Sequence, residues 1–251
     1  MLGCPTIFQG VTHGFIPTGT RVLLLRATVL KSAISSDTYN YGSLDNIGLA
    51  LDYFDSPFNR NIVINGDFEQ GPTPSPYGTI AAYVPNWLVV RGVTTALDYS
   101  PPGQRSNLGL TSTSPGPSDR GQRYVYGGNG TALLRQVICF PSFSPYIVNQ
   151  TLLFNFSGWL GGYGTEGDGS GLTIVFIDEK TGYGIFPLHG GVEYMPGPMP
   201  KDRNNQTLLM FYSVAGTVPL GAHCIVLTAS ASQPTGQYND GYADNISFVL
   251  S

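Results

Sequence analysis

Short apolar runs, rich in β-branched and aromatic residues, recur along the chain between residues that form turns. Such runs, bounded by Gly, Pro, Asn and Ser, predict β-strands. No apolar run with the length and period of a helix lies between them. The pattern therefore predicts an all-β fold, an antiparallel β-sandwich or jelly roll, with strands over residues 61–64, 87–90, 132–138, 151–156, 172–177 and 224–227.

Two segments near the start of the chain are similar to two segments near its end. Residues 15–25 match residues 217–227, and residues 44–51 match residues 243–250 at nearly the same offset. Internal similarity of this kind indicates a repeated structural unit. We expect the matching strands, which include Val22–Leu25 in the first copy, to pair within one sheet.

The repeat divides the chain unequally. Residues 1–52 are predicted to be the C-terminal part of an incomplete first β-sandwich copy, residues 53–60 a linker, and residues 61–251 a complete copy. A fragment of a sandwich exposes unpaired strand edges. We therefore expect residues 8–51 to be completed by strands from elsewhere: from a neighbouring subunit by strand addition, from the body of the same molecule, or from a preceding segment of a longer tandem protein.

The composition excludes two classes of partner. Charged residues make up 11% of the chain and the formal net charge is −4. The chain carries no basic stripe that could neutralise phosphates, so a role in binding nucleic acid is not expected. No apolar run approaches the roughly 20 residues of a membrane-spanning helix, so no membrane span is expected.

Asn-x-Ser/Thr sequons and three cysteines are the sequence features that bear on whether the protein is secreted. Sequons mark possible N-glycosylation in secreted proteins, which favours a secreted, extracellular or cell-surface glycoprotein; we predict glycosylation at Asn129, Asn149, Asn155 and Asn205, while the fifth sequon begins at Asn245. The three cysteines allow at most one internal bridge.

The pairing of the cysteines stays open on sequence grounds. Cys139 and Cys224 both lie in strand-like runs, where they either form a bridge or pack as small apolar residues. Cys4 is the candidate for an intermolecular bond.

Motifs for catalysis are nearly absent. Residues 162–167 match G-x-G-x-x-G but run into a predicted strand rather than a helix, so they lack the helix N-terminus that holds a pyrophosphate. We interpret them as a loop between strands. The histidines are isolated and no nucleophile elbow is present. A spatial pair of acids stays possible, but no catalytic residue is predicted and the protein is not expected to be an enzyme.

Four motifs carry a resemblance to a known family. Residues 65–71 with 85–87, and residues 115–121, 157–163 and 239–245, resemble in this order the galactose-binding-like β-sandwich modules of carbohydrate-binding type. The resemblance covers one full copy and the C-terminal quarter of another. It implies a galactose-binding-like sandwich in an extracellular protein.

The resemblance also implies a structural calcium ion held by Asp67, Glu69 and Asp244. Ca²⁺ prefers six to eight oxygen ligands, and these carboxylates could meet where the first and last strands of the domain come together. The alternative is that Asp67 and Asp244 only cap turns.

Carbohydrate binding is the function that the resemblance implies. Aromatic faces and planar hydrogen-bonding side chains suit sugars; candidates in or beside Gly-rich loops are Trp159, Tyr163, Asp168, Arg120 and Tyr124, with Tyr126 beside them. The alternative is that Trp87 and Trp159 belong to the core.

Three functions follow. The first is a non-catalytic extracellular carbohydrate-binding or adhesion module with glycans as partners. The second is a structural subunit of an extracellular fibre or surface array, assembled by strand addition through residues 8–51. The third is an accessory domain of a secreted enzyme.

Deletion of residues 1–52 tests the second function. If strand addition through this segment drives self-association, the truncated chain should run as a monomer in size-exclusion chromatography at concentrations where the full chain forms larger, open-ended species. Truncated and full-length chains that assemble alike would contradict the strand-addition hypothesis.

Overall fold

The computed structural model describes residues 58–71, 84–92, 94–99, 109–128, 130–139, 149, 151–178, 192–232 and 238–251. The chain divides into two compact units, Met1–Ser56 and Pro57–Ser251, and every described residue belongs to the second. The predicted incomplete copy and most of the linker lie outside the described residues. The tandem arrangement therefore stays a prediction.

The described part of the second unit contains strands and no helix. The strands are β1 (Leu88–Arg91), β2 (Thr95–Asp98), β3 (Arg123–Gly128), β4 (Ala132–Cys139), β5 (Leu153–Gly162), β6 (Gly169–Asp178), β7 (Val192–Pro196), β8 (Leu208–Thr217), β9 (Ala222–Ser232) and β10 (Asn239–Leu250). No helix in this part of the chain has the length and apolar character needed to cross a membrane.

The strands form two antiparallel sheets. The first sheet has the order β1-β4-β9-β6-β7, and the second has the order β2-β3-β10-β5-β8. The main core draws side chains from both, among them Leu172 and Leu227 of the first sheet and Phe156 and Phe248 of the second. The prediction of an all-β antiparallel sandwich is confirmed.

Aromatic packing ties the two sheets together at the core. The rings of Phe154 and Phe248 stack with their centroids 5.6 Å apart, and Phe176 of the first sheet approaches Phe154 to 5.2 Å. Successive side chains of a strand point to opposite faces of its sheet, so a strand contributes every second residue to the core. The alternation explains why Phe154 and Phe156 are buried while Asn155 between them is exposed.

Five of the six predicted strands are confirmed as β1, β4, β5, β6 and β9. The prediction of a strand over residues 61–64 is wrong. The Asn61 side chain takes the place of a ladder there, because its Oδ1 accepts hydrogen bonds from the amides of Val63 and Phe248 and its Nδ2 donates to the carbonyl of Ile246. The segment instead docks on β10 through isolated bridges.

A second expectation also needs correction. The segments of the complete copy that match residues 15–25 and 44–51 contain the strands β9 and β10, which were expected to pair. The structure puts β9 in the first sheet and β10 in the second. Residues 233–238 connect them, so the chain passes from one sheet to the other.

Cys139 and Cys224 form a disulfide bond. They are direct cross-strand partners in the β4–β9 ladder, so the register of two adjacent strands brings them together. The bond joins positions 85 residues apart in the sequence.

The bond is predicted to stabilise the sandwich strongly. In the loop-entropy model, closing a loop of this length contributes roughly 4–5 kcal/mol to the free energy of unfolding. The Cys139→Ala/Cys224→Ala double variant should therefore unfold at a clearly lower urea concentration than the wild type. The Cys4→Ala variant, which leaves the bond intact, is the control; an unchanged midpoint in the double variant would contradict the prediction.

Candidate functional site

The beginning and the end of the sandwich meet at β10. The amide of Ile62 donates to the carbonyl of Phe248 at 2.9 Å, and the amide of Ile246 donates to the carbonyl of Gly66 at 2.8 Å. At Gly66 a Cβ atom would collide with the Ile246 carbonyl, so only glycine permits this approach. The first segment of this unit and its last strand therefore lie side by side.

A bulge in β10 shapes the surface at this junction. The pairing of β10 with β5 shifts register between Asp244 and Ser247, and Asn245 adopts a φ of 47°, a left-handed conformation that asparagine tolerates better than most residues. β-Bulges commonly redirect side chains. Here the Asn245 side chain donates a hydrogen bond of 3.1 Å to Asp119.

The junction opens into a cleft of about 450 Å³. One part of its wall is polar and comes from residues 58–71, which we call the junction loop, from the loop at Asp119 and from the β10 bulge. The other part is aromatic and comes from Trp159 of β5 and Phe211 of β8. The polar side chains that line it are Asn61, Asn65, Asp67, Gln70, Asp119, Asn245 and Ser247.

The aromatic wall is a cross-strand pair. Trp159 and Phe211 lie directly opposite each other in the β5–β8 ladder, and their ring centroids are 5.6 Å apart. Both project from the face of the second sheet that is turned away from the main core. Trp159 is half-buried, whereas Phe211 is 55% exposed, so the pair offers an accessible apolar surface beside amides and carboxylates.

Internal hydrogen bonds hold the polar wall in place. The side chain of Asn65 accepts from the amide of Gln70 at 2.9 Å and donates to the carbonyl of Pro85 at 3.0 Å. The indole of Trp87 donates to the Asn65 carbonyl. The loop is therefore shaped before any ligand arrives.

A second apolar cluster lies beside this aromatic pair, on the same outer face. It contains Tyr124, Tyr126 and Tyr242, and Leu110 from a neighbouring loop belongs to the same cluster. The Tyr124 hydroxyl accepts the Leu110 amide at 3.2 Å.

Arg120 holds that loop. It donates to the carbonyls of Pro117 and Thr111 and lies over the Tyr99 ring, 5.2 Å from its centroid.

These positions separate the residues predicted to bind carbohydrate. Trp159 lines the cleft, and Tyr163 is half-buried against the outer-face cluster. Tyr124 and Asp168 are buried, and Arg120 bonds its own loop. The structure thus brings only Trp159 of this set to the cleft. Trp87, the other tryptophan, is 4% exposed and belongs to the core.

Sequence reasoning did not single out Phe211, Asp119 or the asparagines at positions 61 and 65 as site residues. Phe211 belongs to the run 208–217, in which intermediate and exposed side chains alternate. That run carries the signal of a half-buried strand with one exposed face. Its aromatic side chain on that face is the feature that could have indicated a site.

The predicted calcium ligands lie near one another but do not gather. Asp67 is exposed at the cleft, and one oxygen of the half-buried Glu69 accepts the amides of Gln122 and Arg123 at 2.8 Å. Asp244 is buried; it accepts the Tyr99 hydroxyl at 2.6 Å and the Asn245 amide at 2.7 Å.

The carboxylates of Glu69 and Asp244 thus already accept hydrogen bonds from other groups of the protein. Among the described residues, the one group of three His, Cys, Asp or Glu side chains whose ligand atoms all lie within 4.8 Å is Glu166, Asp168 and Asp240. Calcium at Asp67, Glu69 and Asp244 stays a prediction.

The predicted glycosylation sites that the structure describes are accessible. Asn149, Asn155 and Asn205 are exposed, and Asn129 lies outside the described residues. Glycosylation at these positions stays a prediction.

No family model and no curated protein matches the sequence. Among solved structures, the chain is similar to the enzymatically active domain of tailspike protein 4 of bacteriophage CBA120, with 18% identity and a TM-score of 0.43 over 78% of this chain and 22% of the tailspike chain. It thus spans about a fifth of that protein.

Two carbohydrate-binding modules are also similar. One is a family 61 module solved with β-1,4-galactotriose, at 14% identity and a TM-score of 0.39 over 77% of this chain and 99% of that one. The other is the CBM22-1 xylan-binding domain of Paenibacillus barcinonensis Xyn10C, at 11% identity and a TM-score of 0.37 over 80% of this chain and 97% of that one.

Asp244 makes stability depend on pH. Burial, reinforced by the charges of Glu69 and Asp67, raises its pKa from 3.8 to about 8, although the hydrogen bonds from Tyr99 and Asn245 oppose the shift. The folded chain therefore holds a proton that the unfolded chain releases above about pH 4. The stabilisation is present at low pH and is lost as the pH rises toward 8, at up to about 1.4 kcal/mol per pH unit.

Urea unfolding between about pH 5 and pH 8, in the presence of a chelator, should show this loss. Asp240, whose pKa burial raises to about 7, contributes in the same direction. The Asp244→Asn variant should lose less stability over this range than the wild type, while Asp98→Asn, at an exposed residue, should match the wild type. An equal loss in the wild type and Asp244→Asn would contradict the assignment.

Proposed function

We propose that the second unit is a non-catalytic glycan-binding module of an extracellular protein and that the cleft at the β10 bulge is its binding site. The observation that carries the proposal is the solvent-accessible Trp159–Phe211 pair beside a wall of amide and carboxylate side chains. Sugars have C–H faces that pack on aromatic rings and hydroxyls that bond planar polar side chains. This cleft presents both kinds of surface together.

The size and rigidity of the cleft support the same function. A volume of about 450 Å³ falls within the range of small-molecule sites, roughly 300–1,000 Å³. The hydrogen bonds of Asn65 and the Asn245–Asp119 contact fix the polar wall. Binding to such a preformed wall costs little ordering entropy.

The charge of the cleft indicates the class of glycan. Asp67 and Asp119 line it, and the described lining includes no Lys, Arg or His side chain. An anionic sugar would meet like charge without a compensating cation. We therefore expect neutral glycans, rather than uronic-acid or sulfated ones, to bind.

The disulfide supports an extracellular setting. Disulfide bonds persist mainly in oxidising compartments such as the cell exterior, and Cys139–Cys224 is such a bond. The exposed sequons at Asn155 and Asn205 agree with secretion.

Removing either aromatic ring should weaken binding. We expect Trp159→Ala and Phe211→Ala to raise the Kd for a neutral glycan, chosen from an array screen of the full chain, by about tenfold, which corresponds to roughly 1.4 kcal/mol. Isothermal titration calorimetry gives the Kd, and melting temperatures verify that the variants stay folded.

Tyr194→Ala is the matched control. Tyr194 is an aromatic residue of β7 in the other sheet and is 61% exposed, so its removal should leave the Kd unchanged. The proposal is overturned if no neutral glycan binds, or if the Tyr194 variant loses affinity as the cleft variants do.

A further inference from the structure

Three carboxylates converge where the β5–β6 connection meets the start of β10, and none of them lines the cleft. Glu166 lies in the connection, Asp168 directly precedes β6, and Asp240 belongs to β10. One ligand oxygen from each lies within 4.8 Å of the others. Asp168 is fully buried and Asp240 is 7% exposed, whereas Glu166 opens this group to solvent.

Two buried oxygens at this place have no hydrogen-bond partner. Asp168 accepts the Asp240 amide with Oδ2 at 2.9 Å, but its Oδ1 has none. The Tyr126 hydroxyl, on the adjacent strand β3, is also buried without a partner. The Tyr126 ring lies 6.1 Å, centroid to centroid, from that of Tyr242, whose hydroxyl donates to Asp240 at 3.2 Å. Burial and the charges of Asp240 and Asp168 raise the pKa of Tyr126. Buried polar atoms almost always have partners, so two exceptions in one place need an explanation, such as an ion.

Arg203 does not neutralise the group. The residue is 1% exposed, and its guanidinium donates to backbone carbonyls, which are those of Gln206, Pro198, Tyr163, Gly164 and Glu166.

A divalent cation would favour the ionised form of all three carboxylates, whose net charge in that form, with the Arg203 charge counted, is about −2. The other titratable groups that act on them are the hydroxyls of Tyr124, Tyr126 and Tyr242, which are neutral at physiological pH.

Arg203 also fixes the connection that carries two of the carboxylates. One of its terminal nitrogens bonds the carbonyls of Tyr163, Gly164 and Glu166 within 3.2 Å. A Cβ atom at Gly162 would press against the guanidinium. Protein contacts therefore hold the oxygens together, and a preformed group of oxygens loses little freedom when it binds an ion.

We propose that Glu166, Asp168 and Asp240 bind a calcium ion. Ca²⁺ takes its oxygen ligands at 2.3–2.6 Å, so two ligands on opposite sides of the ion are about 4.8 Å apart. The three carboxylates lie within this distance of one another, one oxygen of Asp168 has no other partner, and water can reach the ion from the side of Glu166. This site is separate from the one predicted at Asp67, Glu69 and Asp244, and it does not depend on glycan binding in the cleft.

Terbium luminescence tests the site directly. Tb³⁺ has ligand preferences like those of Ca²⁺, and a nearby tyrosine transfers excitation to it. The chelator-treated full chain should show terbium emission after excitation of tyrosine, and added Ca²⁺ should displace the signal. Ca²⁺ should also raise the melting temperature, because it binds the folded chain alone.

Variants locate the ion. Glu166→Gln changes an exposed side chain and should stay folded while raising the Kd for Ca²⁺ by about tenfold or more, since affinity follows the number of charged ligands. Asp240→Asn should do the same. Asp98→Asn removes an exposed carboxylate outside both groups of acids; it is the matched control and should keep the wild-type Kd.

Two results overturn the proposal. One is an absence of terbium emission and of any calcium-dependent rise in melting temperature in the wild type. The other is wild-type affinity in Glu166→Gln. If Asp240→Asn does not fold, the Glu166→Gln measurement decides alone.

Discussion

The pairing of β10 at the centre of the second sheet is the constraint on which the rest of the structure depends. This strand bonds β3 on one side and β5 on the other, and the junction loop docks on it. Its bulge sets the position of Asn245 at the cleft. Its first residues carry Asp240, and its middle carries Asp244. One strand therefore positions both the cleft and the carboxylates of the proposed calcium site.

The packing of the second sheet also explains why the sequence pattern did not predict two of its strands, β3 and β10. Alternation of polar and apolar residues marks a strand with one solvated face. β3 and the first half of β10 are buried on both faces, because the outer-face cluster covers the tyrosines while the main core covers Val125 and Ala243. Their sequences therefore lack the alternation that predicted strands such as β4, where buried and more accessible side chains do alternate.

The candidate site was predictable only in part, for a related reason. Trp159 stood out from its own neighbourhood, a Gly-rich stretch with aromatic residues. Its partner Phe211 is 52 residues away in the chain, and only the β5–β8 register brings the two rings together. Asp168 lies in the same Gly-rich stretch, and a stretch of this kind indicates an exposed loop. It is buried because Arg203, from a distant turn, bonds the adjoining backbone and the carboxylate accepts the Asp240 amide.

The docking of the junction loop on β10 has a mechanical consequence. Phe58 and Leu250 are bridged, and Leu250 also pairs with Phe154 of β5. A pull on the junction loop therefore acts on its own hydrogen bonds to β10 before it acts on the ladders of the second sheet, and forced opening is governed by the rate at which such bonds yield. Opening of this kind would begin at Asn61 and Gly66, which line the cleft, so the shape of the cleft would depend on mechanical load.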